Sequence, residues 1–182
     1  MNVTSLSIPD VKLIEPAVYG DDRGFFMETW SAASFIEAGI DVAFLQDNFS
    51  RSGKGILRGL HYQIQHPQGK LVRCTRGEVF DVVVDLRRSS PFFGKWLSVV
   101  LSEKNRLAMW VPPGFAHGFV VTSESADFQY KYSDIYAPTY ERTIQWNDTD
   151  LNISWPVAEV GTPVVSDKDA SGVPFASAEV FE

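Results

Sequence analysis

The sequence predicts an all-β fold, and three observations support that prediction. Short runs of β-branched and aromatic residues recur with period-two alternation. Gly, Pro, Asn and Ser separate these runs at close intervals. Only one stretch has the make-up of a helix, so the strands point to a β-sandwich or barrel with minor short helices.

In chain order, the helical exception comes first. In "SAASFIEAG" Ser31 is placed to cap a helix N-terminus, and Gly39 lies just past its end. Arg58–Gln63 of "ILRGLHYQ" then reads as a strand. Unless a bulge intervenes, alternation puts His61 on a face with Gly59 and Gln63 and turns Arg58, Leu60 and Tyr62 to the other; a turn at Gly59 would bring Arg58 round to His61. "KLVRCTR" is the next strand, and Arg76-Gly77-Glu78 turns it into "VFDVVVDL", the clearest run of all. There Phe80, Val82, Val84 and Leu86 share one face, and Val79, Asp81, Val83 and Asp85 the other. "WLSVVL" and "RLAMWVP" follow, and the turn Pro112-Pro113-Gly114 leads into "GFVVTS", "DFQYKYS" and "TIQWN". The tail after Trp155 is rich in Pro, Gly, Ser and Asp and reads as irregular. No repeat, low-complexity tract or linker divides the chain, so residues 1–182 are expected to form one domain.

Composition excludes several functions. With 45% hydrophobic and 21% charged residues the chain reads as globular, and no apolar run approaches the ~18 residues of a membrane span. The N-terminus lacks the basic and apolar segments of a signal peptide, so a cytoplasmic location is expected. The lone Cys74 rules out an internal disulfide and a thiolate metal cluster. A net charge of -7 argues against nucleic-acid binding through the overall field, so any anionic ligand must be held by local cations.

Motifs narrow the chemistry further. The three histidines His61, His66 and His117 show no converging ligand spacing, which argues against a bound transition metal. "SGKG" at Ser52–Gly55 lacks P-loop spacing, and neither a GxGxxG fingerprint nor a GxSxG elbow is present. What remains is a histidine among cations, Arg58, Lys70, Arg73 and Arg76, and proton transfer is the chemistry that suits it. An imidazole titrates near neutral pH and acts as a base when a carboxylate orients its other nitrogen. On spacing alone His61 also reads as a satisfied interior histidine, and the cations as solvated strand residues.

Six ordered blocks carry a resemblance. "GDDRGFFMETW", "QDNFSRSGKGILRGLHYQ", "QGKLVRCTRGEVFDVVVDLRRSSPFFGKW", "WVPPGFAHGF", "YKYSDIYAPTYERTIQWND" and "SDKD" together resemble the dTDP-4-dehydrorhamnose 3,5-epimerase family, from about Ile14 to Asp169. The resemblance implies a cupin-type jelly roll and a homodimer with exchanged N-terminal strands. "PPGFAHGF" is similar to the second cupin motif with one histidine, as in the metal-free epimerases of that superfamily. The implied reaction inverts C3 and C5 of dTDP-4-dehydro-6-deoxy-D-glucose, giving dTDP-4-dehydro-L-rhamnose, with no cofactor. Relatives that invert only C3 or only C5 of a nucleotide-4-ketosugar are an alternative, as is a non-catalytic cupin that binds a nucleotide-sugar.

Roles follow by matching positions. The resemblance implies His61 as base, Asp169 as its orienting partner, Tyr130 as the acid on the opposite face, and Lys70 at the enolate oxygen. Both Asp167 and Asp169 lie in "SDKD", and the family register selects Asp169. For the nucleotide it implies Arg23 and Glu28, often across the dimer, and Gln46, Asp47 and Asn48, all of which otherwise read as polar edge-strand residues. Arg58 matches a pyrophosphate or sugar contact, His117 and Lys168 line the site, Tyr136 stacks on thymine, and Glu141 is a further ligand-side position. Tyr130 shares a strand face with Phe128 and Tyr132, so by alternation its default reading is core packing, with a hydroxyl at the cavity as the functional one.

Overall fold

A computed structural model describes residues 1–182. Its strands are β1 (Asn2–Ser5), β2 (Lys12–Glu15), β3 (Val18–Asp21), β4 (Gly24–Met27), β5 (Gln46–Gly53), β6 (Leu57–Gln63) and β7 (Lys70–Arg76). They continue as β8 (Glu78–Asp85), β9 (Trp96–Ser102), β10 (Ala108–Val111), β11 (Phe115–Val121), β12 (Ser125–Tyr132) and β13 (Glu141–Thr143). Three short helices are α1 (Ala32–Glu37), α2 (Val157–Val160) and α3 (Asp167–Ala170). One antiparallel sheet runs β1-β2-β10-β7-β12-β5, a second runs β13-β6-β11-β8-β9, and β3 and β4 form a separate hairpin. The two large sheets face each other as a cupin-type jelly roll.

The alternation of β8 shows how the layers arise. Val79 and Val83 point between the sheets, where they join Val72 and Cys74 of β7, Met109 of β10, and Phe128 of β12. Val82 and Val84 point the other way, into a second core with Leu86, Leu57, Leu60 and Tyr62, closed by Leu151 and Trp155 from the irregular tail. A third cluster covers the back of the six-stranded sheet, where Phe35 of α1 and Ile40 pack on Ile14, Leu71 and Trp110. Helix α1 has the predicted Ser31 cap, whose hydroxyl accepts the Ser34 N–H, and Gly39 past its end takes φ +76. Burying these apolar faces, at roughly 25 cal/mol per Å2, is what drives the layers together.

Three expected elements differ in detail. The strand in "RLAMWVP" starts at Ala108, because Arg106 has φ +57 and breaks the extended run. "TIQWN" is strand only at Thr143, at the end of β13; Ile144 forms an isolated bridge to Val173, and Asp148 then caps a turn through the Asp150 and Leu151 N–H groups. In β6 the alternation shifts phase. His61 pairs with His117 while Arg58 pairs with Phe119, three steps on one strand against two on the other. This bulge centres on Gly59, which has φ +136 and packs on Gly118 so closely that a Cβ would lie 2.5 Å from the Gly118 Cα.

Candidate active site

A cavity of about 530 Å3 opens between the two sheets, with its inner wall built from β6, β7, β11 and β12 and its rim from β5 and β13. The bulge at Gly59 decides its chemistry. It lets Arg58, His61 and Gln63 all reach the cavity while Leu57 and Leu60 keep to the core behind. Strict alternation would have turned Arg58 away.

His61 is held from behind by α3. Its Nε2 lies 2.5 Å from Asp169 Oδ1, across 108 residues of sequence. Burial alone would raise the Asp169 carboxyl, but hydrogen bonds from His61, the Gly59 N–H and the Ser166 hydroxyl, with the imidazole charge, hold it below its usual value. An ionised carboxylate only accepts, so it fixes the proton on Nε2 and leaves Nδ1 as the basic nitrogen.

Lys70 opens β7 with its side chain in the cavity wall, and its Nζ donates to the His61 carbonyl at 3.0 Å. Burial pushes its ammonium down to about 8, opposed by the charges of Asp81 and Glu141. It is therefore mostly cationic at neutral pH. Tyr130 projects inward from β12, in contact with Phe128 at 4.9 Å and stacked on Tyr132 at 5.7 Å between ring centroids. Its hydroxyl is 3.5 Å from that of Ser50, and burial raises its pKa well above the ordinary phenol value, so the proton stays on at neutral pH. Packing and a cavity-facing hydroxyl are thus compatible at this position.

His117, opposite His61 in the sheet, also faces the cavity, but its Nε2 is bound at 2.9 and 3.0 Å by the two oxygens of Asp81. Burial lowers the His117 pKa and raises that of Asp81, with the pair's mutual attraction opposing both shifts. Asp81 is a functional candidate that motif matching missed. Its signal was available, since alternation of "VFDVVVDL" placed a carboxylate on the same inward face as Val79 and Val83, and buried unpaired carboxylates are rare.

At the mouth, Arg58 donates to the Ser52 hydroxyl at 3.0 Å, and Gln46, Asp47 and Asn48 line the rim from the edge strand β5. The Gln46 Nε2 donates to Asn48 Oδ1 at 2.9 Å, and Asp47 is paired with Lys131 at the same distance. Tyr136, 51% exposed, donates its hydroxyl to Glu141 at 2.8 Å, and Glu141 is paired in turn with Lys168 of α3 at 2.5 Å. Lys168 and Asp169 thus stand behind the lining and act on it through Glu141 and His61. Arg23 and Glu28 lie apart from the cavity of their own chain. Arg23, with its side chain 90% exposed at the tip of the β3–β4 hairpin, pairs with Asp21, and Glu28 accepts from Ser34. No group of three or more His, Cys, Asp or Glu side chains is arranged to hold a metal ion.

A family model described as dTDP-4-dehydrorhamnose 3,5-epimerase matches residues 5–177. The chain belongs to that family. It is 58% identical to the dTDP-4-dehydrorhamnose 3,5-epimerase of Pseudomonas aeruginosa over 182 residues, covering 100% of this chain and 99% of the relative. Among solved structures, the epimerase of Legionella pneumophila in complex with dTDP-4-keto-L-rhamnose superposes with a TM-score of 0.94 at 49% identity, over 98% of this chain and 94% of that one. The 3'-monoepimerase ChmJ of Streptomyces bikiniensis, in complex with dTDP-quinovose, superposes at 0.90 with 36% identity, over 96% of this chain and 88% of that one. The epimerase has no helix long and apolar enough to cross a membrane.

Proposed function

We propose that the cavity epimerises dTDP-4-dehydro-6-deoxy-D-glucose at C3 and C5, and that His61, Tyr130 and Lys70 carry the reaction. The observation that supports this most is a carboxylate-backed histidine and a proton-retaining tyrosine in one cavity with a buried ammonium. Hydrogens at C3 and C5 are acidic because both carbons flank the C4 ketone. His61 Nδ1 takes the proton, with Asp169 stabilising the imidazolium that forms. Charge moves to the ketone oxygen, where the Lys70 ammonium stabilises the enolate. Tyr130 then delivers its proton to the opposite face of the carbon, which inverts the centre.

The nucleotide lies toward the rim in this reading. Arg58 supplies positive charge for the diphosphate while Lys168 steadies Glu141 from behind, and charge-assisted hydrogen bonds of this kind outweigh a screened net charge of -7. Gln46, Asp47 and Asn48 hold the nucleoside, Tyr136 stacks on the base, and Glu141 and His117 complete the contacts. The hairpin β3–β4 leaves Tyr19, Phe25 and Phe26 at least half exposed, more aromatic surface than a monomer ordinarily leaves bare. A homodimer that covers this patch brings Arg23 and Glu28 to the partner's nucleotide. We propose a cytoplasmic location for the enzyme.

Proton NMR of dTDP-4-dehydro-6-deoxy-D-glucose in deuterated buffer tests the reaction. Loss of both the C3 and C5 signals is expected, and intact signals at both carbons would overturn it. A C3-only reaction has support in the structural likeness to a 3'-monoepimerase. Exchange confined to C3 would establish that second reading instead.

A further inference from the structure

We infer that Gln63 is a positioning residue for Tyr136, fixing from within the protein where that half-exposed ring stands at the cavity mouth. Gln63 ends β6, two residues beyond His61, and is 3% exposed. Its Nε2 donates to the carbonyls of His66 at 2.8 Å and Ile135 at 3.2 Å, and its Oε1 accepts the Ala137 N–H at 2.8 Å. Ile135 and Ala137 flank Tyr136. The peptide entering Tyr136 is therefore gripped at its carbonyl by Gln63 and at its N–H by Gln46 Oε1, 3.0 Å away. The peptide leaving Tyr136 is gripped at its N–H by Gln63 again.

With both peptide planes held, the two backbone angles of Tyr136 are set, and so is the direction in which its ring leaves the chain. The ring has little packing of its own. Beyond its half-exposed faces it has a single anchor, the hydroxyl on Glu141. Its orientation must come from the backbone, and the carboxamide of Gln63 supplies most of what holds that backbone. A planar surface held ready in this way binds a flat ring without the entropy loss of ordering a loop. Both Gln63 donors and its acceptor are used in the same arrangement, which a carboxylate or an aliphatic side chain cannot reproduce.

This inference rests on the reading of Tyr136 as the ring under the base, and the test separates the two. Binding of dTDP is measured by calorimetry for the unmodified protein, Gln63→Leu, Tyr136→Ala and the double variant, with KM and kcat for the ketosugar alongside. If Gln63 acts through Tyr136, each single change weakens dTDP and raises KM by about tenfold, while kcat stays within about threefold. The double variant is then no weaker than Tyr136→Ala, because coupled residues are not additive. Additive losses in the double variant, or a fall in kcat at unchanged KM in Gln63→Leu, would overturn the inference. Weakened binding in Tyr136→Ala with none in Gln63→Leu sinks the inference and leaves the base-stacking reading standing; unchanged binding in Tyr136→Ala sinks both. Should Gln63→Leu fold poorly, Gln63→Glu keeps the acceptor for the Ala137 N–H and loses both donors. An intermediate rise in Kd at unchanged kcat is expected of it, and a Kd equal to that of the unmodified protein would overturn the inference.

Discussion

Two histidine–aspartate pairs sit side by side, with both histidines in the five-stranded sheet, and their surroundings set them apart. His61 and His117 are direct cross-strand neighbours, each bonded through Nε2 to a carboxylate. The side chain of His61 is 27% exposed, while that of His117 is 4% and its Asp81 partner 0%. An accessible ring can meet a substrate and pass its proton on. One that shows the cavity only a small part of its surface, with burial pressing it toward neutrality, is a poor carrier of protons and a good fixed wall. In the proposed mechanism the pair backed by a tail residue handles the proton, and the pair built wholly from the barrel holds the wall in place.

The sharpest way to break this contrast is to remove the rings one at a time. His61→Ala is expected to lower turnover by about 10²–10⁴-fold, with loss of deuterium exchange at C3 and C5 together. His117→Ala should spare exchange far more, and equal losses in the two variants would erase the distinction. The carboxylates should rank the other way in stability. Asp81→Ala strips a fully buried partner and is expected to cost about 3–5 kcal/mol in urea unfolding, whereas Asp169→Ala leaves a ring that water can reach and costs about 1–2.

Lys70 lies between the pairs and supplies a pH test. It holds its proton below about 8 and loses it above, so turnover should fall as pH rises through about 8. Lys70→Arg should carry that limb out of the measurable range, and a limb that stays in place would assign it to another group. The smallest effect belongs to acid stability. The Asp169 carboxyl is held below its unfolded value, so its contribution is complete above the ordinary carboxylate range and fades as pH falls through the lower folded-state value. The fall in urea midpoint below about pH 4 should be shallower in Asp169→Asn than in the unmodified protein.

How much of this was legible in the sequence depends on whether the cause is local. Both faces of β8 could be read from "VFDVVVDL", because alternation is a property of the strand itself, and they pack into two separate cores. The contact between His61 and Asp169 spans 108 residues, and no spacing rule reaches that far; family resemblance supplied it. The strands β1, β3, β4 and β5 carry little alternation, since most of their side chains are exposed. Asp81 was visible as an inward acid, yet only the fold shows the histidine that answers it. Gln63 reads as an ordinary strand end, and its task appears only when the loop around Tyr136 is laid over it.

The extra residue at Gly59 divides β6 into two segments read in different phase. Upstream, Arg58 keeps step with Phe119; downstream, His61 keeps step with His117 on one side and Thr143 on the other. A single residue gained or lost before the bulge would turn the Arg58 end inside out and leave the His61 end in place. The strand therefore behaves as two modules sharing one backbone, and the side chains that each presents to the cavity can change independently within a single fold.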